Sequence, residues 1–137
     1  MTVRRLRRIL EDKRGAGALE FALVAPAFIV LVIGIAQLGL LFFANAGLNN
    51  AISEGARRAT LYPRPDAATV RASLDAAKFG LKPEGLSTPT ITYVTTASPS
   101  YADISMEYTT TLNFIVHRED VTLSKTRRVY LQPLPET

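Results

Sequence analysis

From Phe21 to Ala44 the chain runs for 24 residues without a charge, and no other stretch of its 137 residues resembles this one. As a helix the run is about 36 Å long, against a hydrocarbon core of about 30 Å. Fifteen of its residues are Leu, Ile, Val or Phe. Each of these contributes roughly −0.3 to −0.6 kcal/mol to insertion, and Pro26, Gly34, Gln37 and Gly39 subtract only part of that. One such run, and one only, excludes a uniformly soluble globule and equally a polytopic transporter.

The flanks orient it. Arg4, Arg5, Arg7, Arg8, Lys13 and Arg14 precede the run, whereas Asn45 to Glu54 carries no basic residue. Basic flanks stay cytoplasmic, so the N-terminus is expected inside and the C-terminal part outside. A helix lying on the membrane surface would keep a strongly polar face, which this run lacks. Ala44-Asn45-Ala46 has the look of a signal-peptide cleavage site, but a secretory apolar core is about 7–15 residues long, so a retained span is the expectation. Charge elsewhere is nearly balanced. Residues 1–15 hold six basic residues and two acidic ones, and residues 45–137 hold ten basic and nine acidic. The pI near 9.7 therefore reflects the leader and not a nucleic-acid-binding face. With no cysteine in the chain, disulfides and thiolate chemistry are excluded.

Glu20 stands at the edge of the apolar run, where an unpaired carboxylate is costly. It can serve as a helix N-terminal residue complementing the macrodipole. Its position relative to Gly15 offers a second role. A cut after Gly15 would leave an α-amine on Ala16, and Ala16 and Glu20 are one helical turn apart. A basic leader ending in Gly, a Glu fifth in the mature chain and a long apolar helix form the type IV prepilin pattern. The fuller string from Arg14 to Pro26, RGAGALEFALVAP, resembles the TadE-like family of the tight-adherence (Flp) pilus system, with Gly15, Glu20, Phe21 and Pro26 as the matching positions.

That resemblance implies a bacterial inner-membrane protein, cleaved by the prepilin peptidase between Gly15 and Ala16. It implies a minor pseudopilin that assembles with other pilin or pseudopilin subunits and the pilus assembly platform, through Glu20, Phe21 and Pro26. Classical major pilins usually close the outer domain with a Cys pair, and Flp major pilins are much shorter; this chain departs from both. Gly17 is a second glycine, but a cut there would place Glu20 third. Two other readings stand beside this one. The first is an uncleaved single-pass protein whose outer domain scaffolds envelope partners. The second is a domain released after Ala46.

The organisation expected is a leader over residues 1–15, a long helix over 16–60 with its membrane span at about 21–44, and an extracytoplasmic headpiece over 61–137. The headpiece is expected to be α+β, with a short second helix and a three-strand antiparallel sheet, as in a pilin-like head. Leu48, Ile52, Ala56 and Ala59 continue the first helix at helical spacing, and Glu54 can pair with Arg57 or Arg58. Gly47, Ala51, Gly55 and Ala59 form a stripe of small residues, which permits close approach of another backbone. The sheet face is the favoured partner, a neighbouring helix the other, and Gly55→Ala is expected to be neutral or slightly stabilising. Asp66 should cap the second helix and Gly80 should stop it. Strands are expected at Thr90–Thr96, along the alternating residues Ile104 to Val116, and at Val121–Leu131 after a turn at His117–Asp120. Lys125 and Arg127 interrupt the apolar face of the last strand, which suits a sheet edge. Pro133 and Pro135 fall in a loose tail.

No enzyme is expected. His117 is the only histidine and reads as a solvated turn residue, without the partners of a metal site or triad. Asp103 and Glu107 would stand about 13 Å apart along a strand. Arg127 and Arg128 read as solvated. No P-loop or dinucleotide fingerprint occurs. Hence no cofactor, metal, small-molecule substrate or nucleic-acid partner is expected.

Overall fold

The computed structural model describes residues 15–114 and 117–132. The six leader cations, Val116, Pro133 and Pro135 lie outside the described residues. The chain divides into two compact units, with the second beginning at Gln37. In its described part the first unit is helical.

Helix α1, Ala16–Ala59, runs 44 residues with Pro26 inside it. A sequence rich in Ala and Leu favours this state, and no Gly-Pro or Asn-Gly pair interrupts it. Arg57 and Arg58 occupy the last turn, where cations complement the negative end of the dipole. The Thr60 hydroxyl donates to the Arg57 carbonyl at 2.8 Å, satisfying one of the carbonyls left open at a helix end. Glu54 takes Arg57 as its partner, at 2.9 Å.

Helix α2, Ala67–Ala77, starts where Asp66 accepts a hydrogen bond from the Thr69 N–H at 2.8 Å. It buries Val70 and Leu74. Its end departs from expectation, because Lys78 is already extended. Gly80 lies beyond that end, with φ +66°, and a Cβ there would meet the ring of Phe43. Gly80 therefore serves a close approach rather than a helix stop.

After a single 3-10 turn at Pro83–Gly85 come strands β1, Thr90–Val94, β2, Tyr101–Asn113, and β3, Arg118–Tyr130. They form one antiparallel sheet in the order β1-β2-β3, so β3 is an edge. Strand boundaries moved: β2 begins at Tyr101, ahead of Ile104, and ends at Asn113, before Phe114. β1 stops at Val94, two residues short of the expected end. β3 begins at Arg118, so Arg118, Glu119 and Asp120 pair with Asn113, Leu112 and Thr111 instead of forming a turn. Those charges are exposed, and an exposed edge needs no apolar pattern to hold its ladder.

The core closes between the layers. Leu48, Ile52 and Ala56 from α1 join Val70 and Leu74 from α2 and Ile104 and Met106 from β2 in one buried cluster, with Ile91, Leu123 and Val129 partly buried against it. Ala102, Tyr108 and Leu112 complete the buried face of β2. The second unit is thus α+β, with both helices supplying apolar residues to one side of the sheet.

Candidate assembly helix

The positions of the pilin-like motif all lie on the first unit. Ala16 opens α1, directly after Gly15, and no acidic residue lies in its first turn. Glu20 is the fifth residue of the helix, one turn beyond the end at which the dipole acts most strongly. Its side chain is exposed on the helix surface, as are Gly15, Ala16, Phe21 and Pro26. Pro26 leaves the helix unbroken on both sides, although its ring removes one backbone hydrogen bond. Among the described residues α1 is the one helix long and apolar enough to cross a membrane, with a mean hydropathy of 2.6 over its most apolar window.

The small-residue stripe lies in the second unit. Gly47, Ala51, Gly55 and Ala59 are all buried, and two of them show what lies against them. A Cβ at Gly47 would collide with the backbone carbonyl of Phe79. A Cβ at Gly55 would stand 2.5 Å from Leu74 Cδ2 and 2.6 Å from Leu74 Cγ. The neighbours of these glycines are therefore α2 and the segment just after it, not the sheet as expected. Asn50 fastens the same junction by donating from Nδ2 to the Ala77 carbonyl at 2.8 Å. The sheet face is met instead by Leu48, Ile52 and Ala56, which run beside the stripe. The expectation that Gly55→Ala would be neutral is withdrawn, because Leu74 is fully buried and cannot swing away.

The basic pair of β3 is more engaged than its sequence implied. Arg128 donates from Nε and Nη2 to the two carboxylate oxygens of Asp103, both at 2.8 Å. Its guanidinium also sits 3.9 Å from the centre of the Tyr101 ring. Hydrogen bonding from Arg128 holds the Asp103 carboxyl below its usual range. Arg127 turns to the other face and donates to the Ser53 hydroxyl at 2.9 Å. Neither is simply solvated, and the register Asp103↔Arg128 was the missing information. His117 lies exposed, 2.9 Å from Glu119. Among the described residues no group of three or more His, Cys, Asp or Glu could hold a metal ion.

Sequence reasoning passed over Gln37 and Phe43. Gln37 is the only side chain in the apolar run with hydrogen-bonding groups, and its Nε2 donates to the Asn113 carbonyl. The Phe43 ring packs against Phe79 with centroids 5.3 Å apart. Gln37 carried a readable signal, an amide in an otherwise apolar run; Phe43 carried none.

Together these features define a class: an α+β unit built on the C-terminal part of a helix that is long and apolar enough to be a single-pass membrane anchor. A scan of protein-family models matches residues 15–57, the stretch that bears Gly15, Glu20, Phe21 and Pro26, to the family described as TadE-like protein. Searches of the curated proteins and of the solved structures found no match.

Proposed function

We propose that this chain is a minor pseudopilin or assembly component of a bacterial Tad (Flp) adherence pilus, with a structural and not an enzymatic role. The observation that carries the proposal is the family match over residues 15–57, within which Gly15, Glu20, Phe21 and Pro26 keep prepilin spacing. α1 anchors the subunit in the inner membrane with its N-terminus in the cytoplasm, and the α+β unit stands outside. The prepilin peptidase cuts between Gly15 and Ala16. The new α-amine and the Glu20 carboxylate, on one chain or on neighbours, form a charge pair that sets register as helices pack. Phe21 and Pro26 shape the same packing surface. The partners are the peptidase, other pilin or pseudopilin subunits and the assembly platform.

Release after Ala46 fits this architecture poorly. Ala44 is buried in the second unit, Phe43 packs on Phe79 and Gln37 bonds the Asn113 carbonyl, so a cut after Ala46 would remove residues on which the unit is built. The scaffold reading shares the anchor and differs only in keeping the leader. Glu20→Ala separates the two in cells that assemble Tad pili. The variant is expected to insert normally and to lose piliation, since a paired charge here specifies register more than stability. Normal piliation would remove Glu20 from assembly and favour the scaffold.

A further inference from the structure

We propose that the edge of β2 from Thr109 to Asn113 is a docking site for an extended segment of a partner polypeptide, which adds beside it as a strand and sets a carboxylate against Lys82. The inference concerns the second unit alone and goes beyond the pilin-like reading. Backbone groups along a strand point alternately to its two sides. The Glu107 carbonyl accepts from the Ser87 N–H at 2.9 Å, on the β1 side, while the Phe114 N–H donates to the His117 carbonyl at 2.8 Å, on the β3 side. Thr109, Thr111 and Asn113 therefore direct their N–H and C=O groups away from β3. The lane they face is only partly filled. β1 pairs with Tyr101 to Ser105, Ser87 bonds Glu107 and Leu86 bridges to Tyr108. The chain enters that lane from the 3-10 turn Pro83–Gly85, so beside Thr109 to Asn113 no strand runs among the described residues.

The groups left open there are mostly donors. A Cβ at Gly85 would collide with the Thr109 carbonyl, so that oxygen is covered, and Gln37 takes the Asn113 carbonyl. The Thr111 carbonyl meets only Asn113 Nδ2, at 3.5 Å. The N–H groups of Thr109, Thr111 and Asn113 have no partner among the described residues. They recur about every 7 Å along the strand, too far apart for one anion to bridge and matched to the carbonyls of an added strand. The cleft beside them holds about 280 Å³ and is lined also by Lys82 and Glu84. Among the described residues Lys82 forms no ion pair. Its ammonium adds to the excess of donors, so the segment that fits carries Asp or Glu. Exposed edges are commonly blunted by charge or proline. β3 has Lys125 and Arg127, whereas the run TTTLN from Thr109 to Asn113 has neither device. Strand addition at such an edge draws affinity from main-chain bonds and specificity from the side chains around them.

The absence of cysteine makes a direct test available. Glu84→Cys places one thiol on the exposed turn at the cleft in the full chain, held in detergent micelles. A short peptide alternating threonine and valine, with one central glutamate and a terminal cysteine, is joined to it by a disulfide. The tether raises the effective concentration, so even weak pairing is populated. Amide hydrogen exchange is read by NMR with and without the peptide. Exchange at Thr109, Thr111 and Asn113 is expected to slow several-fold, while Thr110 and Leu112, which face β3, stay unchanged. Lys82→Gln, or alanine in place of the peptide glutamate, should return part of that protection. Unaltered exchange at the three amides would show that the edge accepts no strand and overturn the proposal. Slow exchange before any peptide is joined would show that the chain covers its own edge, and protection that grows with protein concentration alone would give the site to a second copy; either overturns it. Protection indifferent to Lys82 and to the glutamate would overturn the carboxylate assignment.

Discussion

Gly47 and Gly55 have no room for a methyl group, and each is denied it by a different kind of atom. At Gly47 the obstacle is the Phe79 backbone carbonyl, which cannot rotate away. At Gly55 it is the buried side chain of Leu74. Gly39, by contrast, has open space where a Cβ would go. In the full chain in detergent, Gly47→Ala is expected to destabilise the second unit by about 3 kcal/mol and Gly55→Ala by about 1–3 kcal/mol, the range of overpacking. Gly39→Ala should be neutral or stabilise the helix by roughly 0.5–1 kcal/mol. Thermal unfolding followed by the near-UV signal of the tyrosines checks all three, and equal melting would contradict the close approach. Asp103 offers a pH test. Its carboxyl is held below the ordinary range by hydrogen bonding from Arg128. Its contribution is complete above the unfolded aspartate pKa of about 3.9 and fades as pH falls through the lower folded value. A carboxyl-carbon NMR titration should find Asp103 ionised to lower pH than a free aspartate side chain, and Arg128→Gln should abolish that difference.

At the scale of elements, α1 and α2 meet through the pair Gly55 and Leu74, so the two positions should behave as one contact. Leu74→Ala removes a fully buried side chain and should cost about 2–5 kcal/mol. Combined with Gly55→Ala, it vacates the space the new methyl needs, so the double variant should lose less than the sum of the single losses. Additive losses in the same melting experiment would mean that the two helices do not touch there. The small-residue stripe was legible in the sequence, because spacing by four is enough to place four residues on one side of a helix. Its partner was not. Nothing local to Gly47 or Gly55 distinguishes Leu74 from the face of Ile104 to Leu112; that choice is made by how α2 folds back, with Asn50 bonded to Ala77. The long strand was legible through its alternation, since one face is buried. The start of β3 was not, because Arg118, Glu119 and Asp120 join the ladder through their backbones while their side chains stay exposed. The edge position of β3 was readable from Lys125 and Arg127. The bond from Arg127 to Ser53 joins positions distant in the chain and left no local trace.

For the whole molecule, the single charge-free run made a helix long and apolar enough to cross a membrane legible, and the family resemblance followed from thirteen residues at its start. The outer end of the apolar run was less legible, because an apolar helix surface looks the same in sequence whether or not a folded unit covers it; Phe43 packs on Phe79 and Ala44 is buried. Orientation gives the broader prediction. Protease added to spheroplasts should digest the α+β unit, and alkaline phosphatase fused after Thr137 should be active; an inactive fusion with the unit protected would reverse the topology. Processing is the most direct test of the pilin-like role. The full chain is expressed with and without an active prepilin peptidase, beside a control prepilin, and its intact mass is measured. The expected result is peptidase-dependent loss of Met1 to Gly15, leaving Ala16 as the N-terminus, and retention of the leader in Gly15→Leu. A chain that keeps Met1 to Gly15 while the control prepilin is cut, or one that begins at Gly47, would contradict it.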